Sequence, residues 1–334
     1  MDTKVFLELL SNGKGISGYE HTLRDTIISV FDKYANEISV DKLGNVIALK
    51  KGTLKDKAIK IMLAAHMDEI GLMVKDIEEN GFIRFTNIGG IDPRTILGQE
   101  VIVHGKEDLF GVIGSKPPHL QEPSEHDKAI KMEDMTIDIG FSKEKVEELV
   151  NIGDPITIRR KLVDLQGNKV AGKALDDRTG IAVIYECIKE LNNISHESDV
   201  YFVSTVQEEV SMAGALTSTY NIRPDLGIAI DVGFGKTPEL SKSNSIELGK
   251  GPGITLGGNI HPGLRSKIVE IAKEYNIPTQ VEVTPGLTGT DARAMMLTRD
   301  GIPSLVLSIP LRYMHTSVEV VDMVDIKNTA KLLA

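Results

Sequence analysis

Tryptophan is absent from this chain of 334 residues, and aromatic residues make up only 4% of it. Their scarcity is weak evidence against a sugar-binding groove, which usually stacks its ligand on aromatic rings. The single cysteine, Cys187, cannot form an internal disulfide bond. It lies on a helical pattern among Ile184, Ile188 and Leu191, so we predict a buried structural thiol.

Basic residues are in deficit, because 38 lysines and arginines face 48 aspartates and glutamates, which gives a net charge of -10 at pH 7. An acidic chain is a poor partner for nucleic acid or an anionic membrane. The first residues lack the apolar core of a signal peptide, and no apolar run approaches the roughly 20 residues that cross a bilayer. We therefore predict a cytoplasmic protein with a length typical of about two domains.

Two patterns divide the chain. In residues 1–70 and again in 166–334, apolar strand-like runs alternate with helical segments such as residues 179–191. This alternation predicts an α/β fold with a mostly parallel sheet and helices on both faces. Residues 71–165 instead show short strand patterns separated by glycine, which predicts an inserted small β-barrel or sandwich. The sequence thus predicts a discontinuous α/β domain interrupted by a β domain.

Within the inserted segment, strand patterns recur at residues 82–85, 100–104, 109–114, 156–158 and 161–163. The one long helical pattern there covers residues 142–150. A polar stretch, residues 116–133, is typical of a loop.

The most informative stretch of the sequence is Gln207-Glu208-Glu209, which follows the apolar run 199–206. That run is short and rich in β-branched and aromatic residues, so it predicts a buried strand. Two adjacent carboxylates at its end repel each other and resist desolvation. A metal ion nearby would stabilise both, whereas the alternative is a solvated start of a loop.

Metal-type ligands follow predicted strands, or lie in neighbouring loops, at five places: His66 with Asp68, Asp176 with Asp177, Glu208 with Glu209, Asp231, and His315. Each alone has an ordinary explanation, such as a hydrogen-bonded core histidine, a turn aspartate or a helix cap. Together they favour a shared site, because the carboxyl ends of parallel strands meet at one edge of a sheet. Imidazole and carboxylate groups are the ligands of zinc and similar divalent ions.

Two divalent ions about 3.5–4 Å apart need a bridging carboxylate and terminal ligands for each ion, and this set can supply them. Such ions lower the pKa of a bound water toward neutrality. One of the paired glutamates can then bind metal while its neighbour moves the proton. The residues alone do not decide whether Asp176 or Asp177 would bridge.

The other histidines carry weaker signals. We predict structural or solvated roles for His21, His104, His126 and His196. His119 and His261 stand next to prolines in predicted loops that can reach the site.

Six motifs of the chain are similar to those of one family: 64–71 around His66, 174–180 around the paired aspartates, 207–209, 229–233, 289–292 and 315–317. In this order they resemble the tetrahedral-aminopeptidase family of di-metal peptidases, some of whose members carry glutamyl-aminopeptidase or cellulase labels. The resemblance covers essentially the whole chain, including the inserted β domain.

The resemblance implies a role for each matching residue. It makes His66, Asp231, Glu209 and His315 metal ligands, Asp176 the bridging carboxylate with a cis peptide bond to Asp177, Glu208 the general base and acid, and Asp68 a support for His66. Residues Gly289, Thr290 and Asp291 would line the substrate pocket. The cofactors would be two divalent ions, zinc or else cobalt or manganese. The inserted domain would mediate dimerisation, and such dimers assemble into tetrahedral dodecamers.

From the residues and the resemblance we predict a di-metal aminopeptidase that removes the N-terminal residue of peptides, with a metal-bound hydroxide as nucleophile and Glu208 as base. Three alternatives remain open at this point. They are a related di-metal deacylase or deacetylase, a glycoside hydrolase that uses two carboxylates without metal, and a catalytically idle binding protein. The sequence leaves the preferred N-terminal residue and the native metal open.

Overall fold

A computed structural model describes residues 1–54, 58–120 and 128–334. His126 and part of the predicted loop at 116–133 lie outside these ranges. The strands are β1 (Glu37–Val40), β2 (Val46–Lys50), β3 (Lys60–His66), β4 (Gly71–Ile77), β5 (Ile83–Ile88), β6 (Glu100–His104), β7 (Asp108–Ser115), β8 (Met135–Asp138), β9 (Pro155–Ile158), β10 (Val163–Asp164), β11 (Lys169–Gly172), β12 (Asp199–Thr205), β13 (Leu226–Phe234), β14 (Gly253–Gly257), β15 (Gln280–Thr284), β16 (Ser304–Leu311) and β17 (Glu319–Asp322).

The helices are α1 (Thr3–Asn12), α2 (His21–Phe31), α3 (Pro93–Ile96), α4 (Lys143–Leu149), α5 (Leu175–Leu191), α6 (Glu208–Ser211), α7 (Ala213–Ile222), α8 (Pro262–Glu274), α9 (Asp291–Met296) and α10 (Met323–Leu333). Among the described residues, no helix combines the length and the apolar character needed to cross a membrane.

An eight-stranded sheet forms the centre of the molecule, in the order β1-β2-β12-β3-β13-β16-β14-β15. Strands β12, β3, β13 and β16 run parallel to one another, whereas β2 and β14 are antiparallel to their inner neighbours. Helices cover the sheet on both faces, so the predicted α/β class is confirmed. The parallel strands are buried on both sides, which explains their continuous apolar sequences.

Helix α5 anchors one layer, packing against α1, α10, β3 and β13. Its Tyr185 is fully buried, and its ring centroid lies 4.9 Å from that of Phe6 on α1. Asp2 accepts a hydrogen bond from the backbone N–H of Lys4 and so caps the start of α1. Cys187 is buried in the same core with its pKa raised by burial, which confirms the predicted structural thiol environment.

Strand register brings the predicted ligands to one edge. His66, the last residue of β3, pairs with Thr205, the last residue of β12. The residues that follow Thr205, including Glu208 and Glu209, therefore lie at the same end of the sheet as His66. Ala229 of β13 pairs with Ala64, which places Asp231 at the same height two residues later. The residues at the carboxyl ends of the neighbouring strands β12, β3 and β13 therefore lie close together at one edge of the sheet.

Strands β4, β5, β8, β7, β6 and β9 close into a barrel, which is the inserted β structure that the glycine-rich segment predicts. Burial alternates strictly along most of β7, because side chains of successive strand residues point to opposite faces. The interior of the barrel is filled by an apolar cluster, separate from the core of the α/β part, that includes Val74, Phe85, Val103 and Ile137.

One strand prediction for the barrel is wrong. The pattern at 161–163 does not close the barrel, because β10 pairs with β11 in a separate three-stranded sheet with β17. Leu162 packs in the core of the α/β part rather than in the barrel. The domain boundary at residue 165 stays a prediction.

Candidate metal centre

Two groups of metal-type side chains meet at the carboxyl edge of the sheet. His66, Asp176 and Asp231 form one group, and Asp176, Glu209 and His315 form the other, each with its ligand atoms within 4.8 Å of one another. Asp176 belongs to both groups. Such a pair of triads with one shared carboxylate has the composition of a two-metal site.

The two oxygens of Asp176 face different histidines. Its Oδ1 lies 3.2 Å from Nε2 of His66, and its Oδ2 lies 3.3 Å from Nε2 of His315. The Oε2 atom of Glu209 is also 3.3 Å from Nε2 of His315. Asp176 therefore lies between two sets of donors that are otherwise separate.

Asp177 has a different environment, although it is the next residue. Its Oδ1 accepts a hydrogen bond from the backbone N–H of Gly180, and it belongs to neither group. The peptide bond between Asp176 and Asp177 is cis, as the resemblance implied. Both residues have non-helical backbone angles at the start of α5, so their side chains diverge.

Glu208 begins the short helix α6 directly after Gln207, whose backbone is left-handed with φ +57°. Its Oε2 lies 3.9 Å from Nε2 of His66, and its Oε1 is buried without a hydrogen-bond partner among the described residues. Burial and the negative charges of Asp231 and Asp291 raise the pKa of Glu208 to about 10, although a charged His66 opposes the shift. Glu208 is thus a proton-holding group next to His66.

Asp68 connects the histidine to the paired glutamates. Its Oδ1 accepts a hydrogen bond from the backbone N–H of Glu208 at 3.0 Å, and its Oδ2 accepts one from that of Glu209 at 3.2 Å. Its Oδ1 also lies 3.5 Å from Nδ1 of His66, the ring nitrogen that faces away from Asp176. The hydroxyl of Ser17 donates to Oδ2 at 2.6 Å. This carboxylate fixes the orientation of three predicted site residues.

Glu319 is a site residue that the motifs do not indicate. Its carboxylate accepts hydrogen bonds from the backbone N–H groups of Leu175 and His315 at 2.7 and 2.8 Å, and from that of Asp176 at 3.2 Å. It thereby ties the two segments that carry His315 and Asp176. The sequence gives no local signal for this role, because β17 is a short strand of two valines between two acidic residues, and only the structure shows that all four are buried.

The electrostatics of the cluster fit a pair of cations. Burial and the charge of Asp176 raise the pKa of Asp231 well above its ordinary range. Hydrogen bonds with Asp176 and Glu209 raise the pKa of His315 to about 11. Retained protons therefore offset the crowded negative charge, and bound cations would offset it in their place. Oxygen and imidazole donors are also the ligands that divalent ions of the zinc type prefer.

A cavity of about 320 Å³ opens beside the cluster. Gly289 and Thr290 line it. Asp291 is buried behind them, where its Oδ2 accepts a 2.5 Å hydrogen bond from the hydroxyl of Thr205. None of the other described histidines belongs to either donor group, and His261 instead caps α8 by accepting from the backbone N–H of Leu264.

Comparison with known proteins finds relatives along nearly the whole chain. The family model of the M42 glutamyl aminopeptidases matches residues 44–332. The lysyl aminopeptidase of Pyrococcus furiosus is 42% identical, over 95% of this chain and 92% of the relative.

Solved structures are similar over nearly the full length. A TET aminopeptidase from a marine sediment archaeon of the Thaumarchaeota superposes with a TM-score of 0.94 at 34% identity, covering 99% of this chain and 94% of that chain. The TET1 peptidase of Pyrococcus horikoshii, which can assemble into a tetrahedron or a large octahedral shell, gives 0.87 at 36% identity and covers 99% and 98%. An endoglucanase of Thermotoga maritima gives 0.79 at 33% identity and covers 98% and 94%.

The family model covers most of the chain, and the relatives exceed 30% identity over most of it. The implied family, which includes an endoglucanase-labelled relative, is therefore confirmed. The chain belongs to the M42 glutamyl aminopeptidase family and is a metallo-aminopeptidase.

Proposed function

We propose that this aminopeptidase uses two divalent ions to hydrolyse the bond after the first residue of small or medium peptides. The observation that carries the proposal is the pair of donor groups that share Asp176, with the carboxyl group of Glu208 beside them. His66 and Asp231 would hold one ion, Glu209 and His315 the other, and Asp176 would bridge them. Zinc is the proposed metal, with cobalt or manganese as alternatives.

Bound ions of this kind supply Lewis acidity toward the scissile carbonyl oxygen and lower the pKa of water. Glu208 would take the proton of the attacking water and return it to the leaving amine. Its pKa of about 10 applies to the protein without ions, and two cations nearby would pull that pKa downward. Asp68 would hold Glu208 and His66 in position. Gly289 and Thr290 would line the substrate pocket, and Asp291 would support it from behind.

The acidic cluster also suits the free N-terminus of a peptide. An ammonium group is attracted by the excess of carboxylates around the donor groups, whereas an acylated N-terminus carries no charge to be attracted. We therefore favour the aminopeptidase reaction over a related deacylase. The names of the relatives include lysyl and glutamyl aminopeptidases, so peptides that begin with basic and acidic residues both belong in the test panel.

We further propose a cytoplasmic homo-oligomer in which the barrel mediates dimerisation and dimers build a tetrahedral dodecamer. The assembling TET1 relative supports this, and so do apolar side chains on the outside of the barrel. Phe110 and Val112 of β7 are 51% and 42% exposed and lie two residues apart on the outer face of the barrel, where a partner subunit would cover both. Light scattering should give a mass near twelve times 36.4 kDa, and a monomeric mass would reject the assembly.

The reaction is tested by measuring the release of free amino acids from unblocked and N-acetylated peptides, with and without chelator and added zinc or cobalt. Cleavage that needs both a free N-terminus and metal supports the aminopeptidase. Activity restricted to acylated substrates would replace it by a deacylase. Chelator-resistant cleavage of a β-glucan, without cleavage of any amide, would replace it by a glycoside hydrolase, whose two carboxylates act without metal.

A further inference from the structure

An acidic residue outside the two donor groups, Glu282, faces the cavity from the outer part of the sheet. Glu282 lies on β15, the edge strand, and lines the cavity together with Asp231. It is the register partner of Thr255 on β14. Gly253 of β14 pairs in turn with Ser308, which is itself the partner of Asp231. Since paired residues and residues two apart on a strand share a face, Glu282 and Asp231 rise from the same face of the sheet.

The side chain of Glu282 is held in a defined position. Its Oε2 accepts hydrogen bonds from the hydroxyl of Thr255 at 3.1 Å and from that of Ser308. Its Oε1 lies against Gly233, where a Cβ atom would come within 2.5 Å of it. Gly233 follows Asp231 by two residues and also lines the cavity. Because Gly233 has no side chain, Oε1 of Glu282 can occupy this space in the cavity wall.

The carboxylate of Glu282 has no cationic partner in the protein. Among the described residues, no lysine, arginine or histidine forms an ion pair with it. Burial raises its pKa, and only the hydrogen bonds from Ser308 and Thr255 act in the other direction. Glu282 is half-buried, and an acid that is largely withdrawn from water without a counter-charge is costly to maintain. Its position in the cavity makes a ligand the natural source of the missing positive charge.

We propose that Glu282 selects peptides whose first residue is basic, lysine or arginine. The inference rests on the proposed function, because it assigns the cavity to the side chain of the residue that is removed. Val306 and Met314 also line the cavity and give the methylene groups of a basic side chain apolar contacts. The terminal ammonium or guanidinium group would then reach Oε1, the oxygen that accepts no hydroxyl hydrogen bond.

Norleucine provides a matched substrate, because it has the lysine side chain without the ammonium group. We expect the kcat/KM of Lys-Ala to exceed that of norleucine-Ala by about 100-fold, since a site built around a polar substrate group rejects analogues that lack it. Glu282→Gln keeps the shape and the hydrogen-bonding capacity but removes the charge. In this variant the ratio of Lys-Ala to norleucine-Ala should fall to near one, with Arg-Ala affected in the same direction.

The experiment uses the metal-loaded enzyme and four dipeptides: Lys-Ala, Arg-Ala, norleucine-Ala and Glu-Ala. Glu270→Gln, an exposed glutamate on α8, is the matched control, and its ratio should equal that of the wild type. Inhibition of the wild type by free lysine and by free norleucine gives a second readout that needs no variant. Free lysine should inhibit at a markedly lower concentration than free norleucine.

The possible outcomes distinguish a failure of the role of Glu282 from a failure of the proposed aminopeptidase function. A wild type that prefers norleucine-Ala or Glu-Ala, or a preference for Lys-Ala that Glu282→Gln leaves unchanged, overturns the assignment of Glu282 and leaves the aminopeptidase intact. A wild type that cleaves none of the four dipeptides in a metal-dependent manner overturns the proposed function itself, and the inference falls with it. A variant that has lost its fold is recognised by its circular dichroism, and the inhibition constants of the wild type then decide.

Discussion

The backbone N–H of Glu208 donates a 3.0 Å hydrogen bond to the fully buried carboxylate of Asp68. The same carboxylate lies 3.5 Å from Nδ1 of His66. The end of β3 and the start of α6 are thereby joined through one side chain. Groups of this kind orient metal ligands and raise their basicity, although they do not bind the metal themselves.

Replacement of Asp68 by asparagine should therefore weaken the metal site without removing a ligand. The amide keeps one acceptor oxygen, but its NH₂ group cannot accept. In one orientation the variant loses the hydrogen bonds from Glu209 and Ser17, and in the other it loses the hydrogen bond from Glu208 and the contact with Nδ1 of His66. We expect a loss of about 10- to 100-fold in metal affinity or in kcat/KM, as is typical for such partners. Titration of the metal-free protein with zinc, followed by assay, measures both.

Asp325 offers a matched control for this change. It is also fully buried, and it accepts hydrogen bonds from the backbone N–H groups of Gly249 and Gly251, away from the two donor groups. Asp325→Asn should lower stability and leave the zinc affinity unchanged. Equal losses of zinc affinity in both variants would mean that Asp68 acts only through general stability.

The proposed proton transfer predicts that Glu208→Gln loses turnover and keeps metal. Glutamine has the same shape but cannot take up a proton, so kcat should fall by about 10²- to 10⁴-fold. Elemental analysis should find the wild-type metal content. Glu209→Gln is the contrasting variant, because Glu209 is a proposed ligand and its loss should reduce the metal content first. Substantial activity in Glu208→Gln would reject its role.

The shared position of Asp176 predicts two different stoichiometries of metal loss. His315→Gln removes a donor from one group only, so about one of two ions per chain should remain. Asp176→Asn weakens both groups, since each oxygen faces a different histidine. It should therefore retain less metal than His315→Gln. Mass spectrometry of metal per chain distinguishes these cases, and equal retention by the two variants would contradict the bridging assignment.

The strand ends could be predicted from the sequence because each parallel strand is an uninterrupted apolar run. The run before Glu208 and the run ending in His66 pair in register, so their polar residues meet at the same edge. The choice between Asp176 and Asp177 could not be made in this way. It depends on backbone angles that turn two adjacent, chemically identical side chains in different directions.

The roles of Glu282 and Glu319 could not be predicted from the sequence either, because both depend on contacts between distant parts of the chain. Strand β14 has only five residues and begins and ends with glycine, and β15 alternates polar and apolar residues at the sheet edge. Local patterns therefore do not show that Glu282 meets Ser308, which lies 26 residues further along the chain. Glu319 accepts hydrogen bonds from backbone N–H groups, and almost every residue has such a group, so the sequence does not indicate its partners.

A buried ion-pair network next to the site gives a prediction for stability and its pH dependence. Glu69 is 4% exposed and accepts hydrogen bonds from Lys173 at 2.6 Å and from Arg178 at 2.9 Å. Burial lowers the pKa of Lys173 to about 8 even beside this carboxylate, so desolvation offsets part of the attraction. Glu69→Gln would leave two buried cations without a counter-charge, and the free energy of unfolding should fall by about 3–5 kcal/mol. Urea denaturation at pH 7 measures this difference.

The same difference should disappear in acid. Although burial opposes the shift, the charges of Arg178 and Lys173 lower the pKa of Glu69 below its ordinary value of 4.5. A group whose folded pKa is lowered stabilises the protein above its unfolded pKa, and it loses this contribution as the pH falls through the folded pKa. The gap between wild type and Glu69→Gln should therefore shrink as the pH falls below 4.5, and it should be largest between about pH 5 and pH 7, because Lys173, with its pKa of about 8, loses its charge at higher pH. Glu148→Gln, which breaks an exposed pair with Lys145, should show no comparable gap at any pH. A gap for Glu69→Gln that persists unchanged in acid would mean that the loss arises from packing rather than from charge.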